Sequence, residues 1–144
     1  MYLVDTNVIS AGAPSKAMAQ TELIDWMERN TDRLYLSVVT IAEIEDGIAK
    51  ARREGARRKS AQLASWLETV LHLYSARILV LNIGIARLAG RLSDFARGRA
   101  HEPGFTDLVI AATARSHGLQ VLTRNLRHFT ILDVPAHDPF AELL

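Results

Sequence analysis

The feature that most constrains this chain is the alternation of short apolar runs with longer stretches of helical periodicity. YLV (2–4), RLYLSVVT (33–40), RILVLNI (77–83) and LQVLT (119–123) read as strands, mostly apolar on both faces. Between them, 18–28 places Ala19, Leu23, Ile24 and Met27 at helical spacing. TIAEIEDGIAKARR (40–53) puts Ile41, Ile44 and Ile48 on one face, and KSAQLASWLETVLHLY (59–74) carries Leu63, Trp66, Leu67, Val70 and Leu71 at i, i+3, i+4. GIARLAGRLSDFARGR (84–99) has Leu88, Leu92 and Phe95 in register. EPG (102–104) breaks the chain before FTDLVIAATARSHG (105–118), which ends on a glycine suited to a helix C-cap. Strands buried on both faces and separated by helices belong in a parallel sheet covered on both sides. The expected fold class is therefore α/β, a central parallel sheet of about four or five strands flanked by helices, with a last short extended piece near Leu132–Pro135. No repeat, low-complexity tract or linker divides the 144 residues, so 1–144 reads as a single domain.

Composition removes several kinds of chemistry. With no cysteine, disulfides, thiolate catalysis and cysteine-based zinc sites are out. No apolar run reaches the roughly 18 to 20 residues of a membrane span. The N-terminus lacks the charged start and long apolar core of a secretory signal, and the expected location is cytoplasmic. A net charge of +1 provides no global field for nucleic acid, yet KARREGARRK (50–59) gathers six basic residues and one acid. That run reads first as a solvated helix face, with an electrostatic footprint for phosphates as the alternative.

In an open α/β sheet, ligands bind beyond the carboxyl ends of the strands. Asp5 follows the first strand directly, Glu43 lies in the first turn of the helix after the second strand, and Asp107 in the first turn of the helix before the fourth. Asp107 joins the other two at one edge if RAHEPGF (99–105) returns the chain there. Each acid also has a structural reading: Asp5 as an Asx-type turn, Glu43 as the partner of Thr40 in a capping box, and Asp107 as a complement to a helix dipole. Three carboxylates meeting without an adjacent lysine or arginine would raise each other's pKa, a penalty that a divalent cation removes. Hard oxygen donors without His or Cys point to Mg²⁺ or Mn²⁺.

VDTNVIS (4–10), SVVTIAEIEDGI (37–48), FTDLVIAATA (105–114) and VLTRNLRHF (121–129), in this order and spacing, resemble the PIN-domain family. They look most like the VapC-type toxins of type II toxin–antitoxin systems, in the FitB-like subgroup. The likeness extends to DPF (138–140), where that subgroup usually has Asn-Pro-Phe. The resemblance implies a Mg²⁺- or Mn²⁺-dependent endoribonuclease in which Asp5, Glu43 and Asp107 are catalytic and Asp5 and Asp107 hold the metal. Thr6, Asn7, Thr123 and Asn125 become polar groups orienting the carboxylates, and Arg124 and Arg127 candidate RNA contacts. Many PIN domains carry a fourth acid where this chain has Asn125, which favours one tightly held ion. Glu45 and Asp46 read as solvent-facing, His128 as structural or exposed rather than a general acid, and Asp138 has no assigned role.

The resemblance further implies an RNA substrate, a cognate antitoxin that often inserts an Arg into the acidic pocket, and DNA reached only through that antitoxin. Apolar surface around Trp26, Trp66, Leu67 and Leu71 suggests a homodimer. Two other readings stand beside the toxin: a metal-dependent phosphatase or DNA nuclease on the same carboxylates, and a non-catalytic PIN-like binding module.

Overall fold

The computed structural model describes residues 1–14 and 20–144. Its sheet has five short parallel strands: β1 (Tyr2–Val4), β2 (Leu34–Ser37), β3 (Ile78–Leu79), β4 (Gln120–Leu122) and β5 (Ala136–His137). Their spatial order is β3-β2-β1-β4-β5. The chain thus starts in the middle, builds outward through β2 and β3, and then crosses back to the other side of β1. The order reverses between β1 and β4, and a crevice opens at the carboxyl ends of strands at such a reversal.

Seven α-helices accompany the sheet among the described residues: α1 (Thr6–Ile9), α2 (Thr21–Arg29), α3 (Val38–Arg53), α4 (Arg57–Leu73), α5 (Ile83–Arg97), α6 (Phe105–His117) and α7 (Leu126–Ile131). Successive strand residues point to opposite faces, and they divide the core accordingly. Leu3 and Val121 pack with Ile85, Leu92, Ile110 and Phe129 on one side. Val4, Leu36 and Leu122 pack with Leu23, Trp26, Ile48, Leu67 and Val70 on the other. The middle of helix α6, from Leu108 to Ala114, is buried on every side, which is why that stretch is apolar all round rather than striped. No helix among the described residues is long and apolar enough to cross a membrane.

Several expected boundaries move. The helix expected from Met18 begins at Thr21, and Met18 and Ala19 lie outside the described residues. The strand expected through Thr40 stops at Ser37. Ser37 caps α3, its hydroxyl accepting from the Val39 N–H, so the β-branched pair Val38–Val39 is the first helical turn. The third strand shrinks to two residues. The last extended piece forms at Ala136–His137 instead of Leu132–Pro135. Pro135 has no N–H to donate, and its carbonyl instead accepts from Val121.

The surface suggested for a homodimer is largely spent inside the chain. Trp26 and Leu67 are core residues, Trp66 and Leu71 pack against them, and Trp26 Nε1 donates to the carbonyl of Leu144 at 2.8 Å. The apolar side chains left in water are elsewhere, with Val80 62% exposed, Ile83 80% and Phe105 67%.

Gly118 ends α6 with φ of 65°, and a Cβ there would touch nothing within 4 Å. The cost of Gly118→Ala is then backbone strain alone. We expect about 1 kcal/mol of lost stability, read as a lower urea midpoint at unchanged m-value.

Candidate active site

Asp5 is placed by the strand before it and the helix after it. Its backbone N–H donates to the carbonyl of Leu122 at 2.9 Å, extending the β1–β4 ladder by one residue. Its extended backbone (φ −70°, ψ 156°) then makes it the N-cap of α1. Only 4% of the residue is exposed. Oδ1 accepts from the Thr6 N–H at 2.8 Å, and Oδ2 accepts from the buried Thr123 hydroxyl at 2.8 Å. The turn and the chemistry are therefore not alternatives: one oxygen caps a helix while the other is held across the strand reversal.

The other two acids arrive by separate routes. Glu43 projects from α3, and its Oε1 accepts from the Thr6 hydroxyl at 2.5 Å. That hydroxyl also lies 3.2 Å from Oγ1 of the buried Thr40. Because α3 starts at Val38, Glu43 sits in the second turn, and the capping-box pairing with Thr40 is not formed. Asp107 sits in the first turn of α6, as expected, and its Oδ2 lies 2.6 Å from His128 Nδ1. His128, expected to be structural or exposed rather than a general acid, is partly exposed and contacts a candidate catalytic carboxylate.

Electrostatics tie the three acids into one site. Burial pushes the Asp5 carboxyl above its ordinary range, hydrogen bonds from Thr123 and Thr6 pull it back, and the negative charges of Asp107 and Glu43 raise it further. The contact of His128 with Asp107 is the one acid–base side-chain pair found among the described residues, so no lysine or arginine neutralises Asp5 or Glu43. The donor set is what a hard divalent cation takes: carboxylate oxygens, clustered and short of positive charge. In this arrangement no three acidic or histidine side chains among the described residues converge tightly enough to enclose an ion. Glu43 is turned to Thr6 and Asp107 to His128, each through one carboxylate oxygen.

The remaining expected residues form a rim. Asn7 Oδ1 accepts from the Arg124 N–H at 3.2 Å, and the Asn125 N–H donates to Thr123 Oγ1 at 2.9 Å. Asn125 thus reaches the site through its backbone. Arg124 stacks its guanidinium 4.1 Å above the Phe140 ring. Asp138, unassigned from sequence, accepts from the Phe140 N–H at 2.9 Å and so sets the turn that presents that ring. Arg127 is exposed on α7, and Glu45 and Asp46 face solvent as expected.

Thr123 is the hinge of this network, donating to Asp5 and accepting from Asn125. Thr123→Val keeps the shape and removes both bonds. We expect a 10- to 100-fold loss of hydrolytic activity with little change in fold, checked by initial rates beside circular dichroism.

Comparison with known proteins agrees with this geometry. The PIN domain model matches residues 2–134. The chain is 30% identical over 141 residues to Toxin FitB of Neisseria gonorrhoeae, covering 97% of this chain and 99% of that one. It is 33% identical over 142 residues to VapC ribonuclease Y4jK of Sinorhizobium fredii, covering 97% and 98%. The crystal structure of FitAcB from Neisseria gonorrhoeae superposes with a TM-score of 0.84 at 32% identity over 97% of this chain and 99% of that one. FitAB bound to the IR36 DNA fragment gives 0.80 at 28% identity over 97% and 96%. With its family model spanning almost the whole sequence and its acids gathered at the strand reversal, the chain belongs to the PIN-domain family.

Proposed function

We propose that this chain is the toxin of a type II toxin–antitoxin system, a Mg²⁺- or Mn²⁺-dependent endoribonuclease that hydrolyses RNA phosphodiester bonds. The observation that carries the reading is Asp5: a buried carboxylate, anchored through both oxygens at the switch between β1 and β4, and burdened by two neighbouring negative charges. A fold keeps so costly a group only where something offsets the charge. The FitB and VapC relatives, named toxin and ribonuclease, support the same conclusion.

Asp5 and Asp107 would hold the ion, which when bound polarises the scissile phosphate and makes a water acidic enough to ionise near neutral pH. The protein does the rest. Thr123 and the Thr6 N–H fix both oxygens of Asp5. Thr6 holds Oε1 of Glu43, leaving Oε2 to orient the attacking water and accept its proton. Arg124 and Arg127 stand exposed beyond Asn125, where flanking phosphates pass. Because water is the nucleophile and the 2′-hydroxyl is not, products carry 5′-phosphate and 3′-hydroxyl ends.

The chain works in the cytoplasm, and a cognate antitoxin holds it inactive and is its route to DNA, a reading the DNA-bound FitAB assembly supports. It pairs as a homodimer, a reading that the exposed apolar side chains of Val80, Ile83 and Phe105 support.

The test is cleavage of a mixed pool of structured and single-stranded RNAs by the antitoxin-free protein in Mg²⁺, in Mn²⁺ and in EDTA, with product ends mapped. Metal-dependent cuts leaving 5′-phosphates are expected. Cuts that persist in EDTA, or that leave 2′,3′-cyclic ends, would overturn the mechanism.

A further inference from the structure

We propose that the groove between α3 and α4 is the track for the RNA strand on one side of the scissile phosphate, with Lys50 and Lys59 as its phosphate contacts. The proposal rests on the ribonuclease reading and names where the substrate lies. The groove has a volume of about 320 Å³, and its lining includes Thr6, Glu43, Gly47, Lys50, Lys59 and Trp66. It opens directly from the carboxylates, because Thr6 and Glu43 belong to both.

Three observations point to a polyanion as the occupant. Glu43, Gly47 and Lys50 recur at helical spacing along one face of α3, so Lys50 stands about 10 Å up the axis from Glu43. That is no more than about three nucleotides at the per-strand rise of a duplex. Next, neither Lys50 nor Lys59 forms an ion pair among the described residues. Arg57, Arg58 and Lys59 line a second hollow beyond them, so positive charge continues outward. Glu54 also lines the groove, one turn past Lys50, which leaves Lys50 as the anchor nearest the carboxylates.

The third observation is Gly47. Glycine within a helix is destabilising relative to alanine, and a Cβ at this position would meet no atom within 4 Å. The fold therefore does not demand the glycine. It lies on the groove wall between Glu43 and Lys50, where a missing side chain keeps the passage open. Trp66 supplies an aromatic surface for a base to stack on. A peptide segment of a partner protein is the rival occupant, favoured by the apolar floor but not by the unpaired lysines.

The experiment measures binding of a fluorescein-labelled, 12-nucleotide, random-sequence single-stranded RNA pool by anisotropy across a salt series. All proteins carry Asp5→Asn so that the RNA stays intact. Against that background, Lys50→Gln with Lys59→Gln is expected to weaken binding at least 10-fold and to flatten the slope of log Kd against log salt by about 1.4, from two lost phosphate contacts at ~0.7 each. Gly47→Gln is expected to raise Tm and still weaken binding at least 5-fold, a combination that misfolding cannot produce. Unchanged affinity and slope in these variants would overturn the proposal, as would variants that bind RNA normally but lose affinity for a partner peptide. Failure of the ribonuclease reading looks different: with native Asp5 the protein cuts no RNA in any metal, while its RNA binding still depends on Lys50 and Lys59.

Discussion

Asp5→Asn is expected to lower RNA cleavage by at least about 10²-fold and, in metal-free buffer near neutral pH, to raise the melting temperature. The two effects share one cause. The fold holds the Asp5 carboxyl above its unfolded value of 3.8, chiefly through burial and secondarily through Asp107 and Glu43. A carboxyl raised on folding binds its proton more tightly in the native state, so stability falls as pH rises from the unfolded value through the raised one. Above that window the native chain carries the full cost of an ionised, buried group. Asparagine carries no such charge and keeps an oxygen to accept from the Thr6 N–H, so the gap in melting temperature should be absent well below pH 3.8 and open above it. Mg²⁺ is expected to reverse the comparison, because an ion that binds only the native state stabilises it by mass action. Added Mg²⁺ should raise the melting temperature of the native protein and leave Asp5→Asn nearly unmoved. Scanning fluorimetry over pH, with and without the ion, reads every part of this. A variant that melts lower than the native chain at neutral pH would show that Asp5 is kept for capping.

Phe129→Ala carries the largest expected cost in stability. Phe129 is fully buried, packed with the cluster of Leu3, Ile110, Val121 and Leu132 under β1 and β4. Truncating such a ring costs about 3–5 kcal/mol, against a total of roughly 5–15 kcal/mol for a domain. A fall in melting temperature of about 10–16 °C follows for a domain this size. The loss should also reach the site, since α7 carries Arg127 and His128 immediately before Phe129. Loosening α7 frees His128 from Asp107, so cleavage should drop below what the folded fraction explains. Phe129→Leu keeps most of the volume and should cost less than half as much, measured by urea unfolding beside initial rates.

The broad architecture was legible because it rests on patterns long enough to count. Four strand segments alternating with helices gave the parallel sheet, with the fifth strand expected a few residues too early, and Gly118 marked the end of α6 through the one backbone conformation that favours glycine. Asp5 and Glu43 could be assigned to one edge because a parallel sheet sends every strand's carboxyl end the same way, while Asp107 joined them only on the condition that 99–105 returned the chain there. Short or tertiary features were not legible. Helices α1 and α7 span four and six residues, too few for a periodic signal. Val38 and Val39 are β-branched and read as strand, yet Ser37 supplies a cap that turns them into helix, and this displaced the presumed capping box at Thr40. The contact between His128 and Asp107 joins residues 21 apart, and only the return of the chain around β4 brings them together. An apolar stripe likewise cannot say what covers it: Trp26 is buried within this chain and donates to its own Leu144.

The order of the strands also sets when activity can begin. Asp5 leaves the ribosome well before the hydroxyl that orients it, which belongs to a residue 118 positions later. At ~5–20 residues per second, synthesis separates them by roughly 6–24 s. Until β4 slots in beside β1, the nascent polypeptide has its acids but no pocket, so the proposed nuclease stays silent while it is being made.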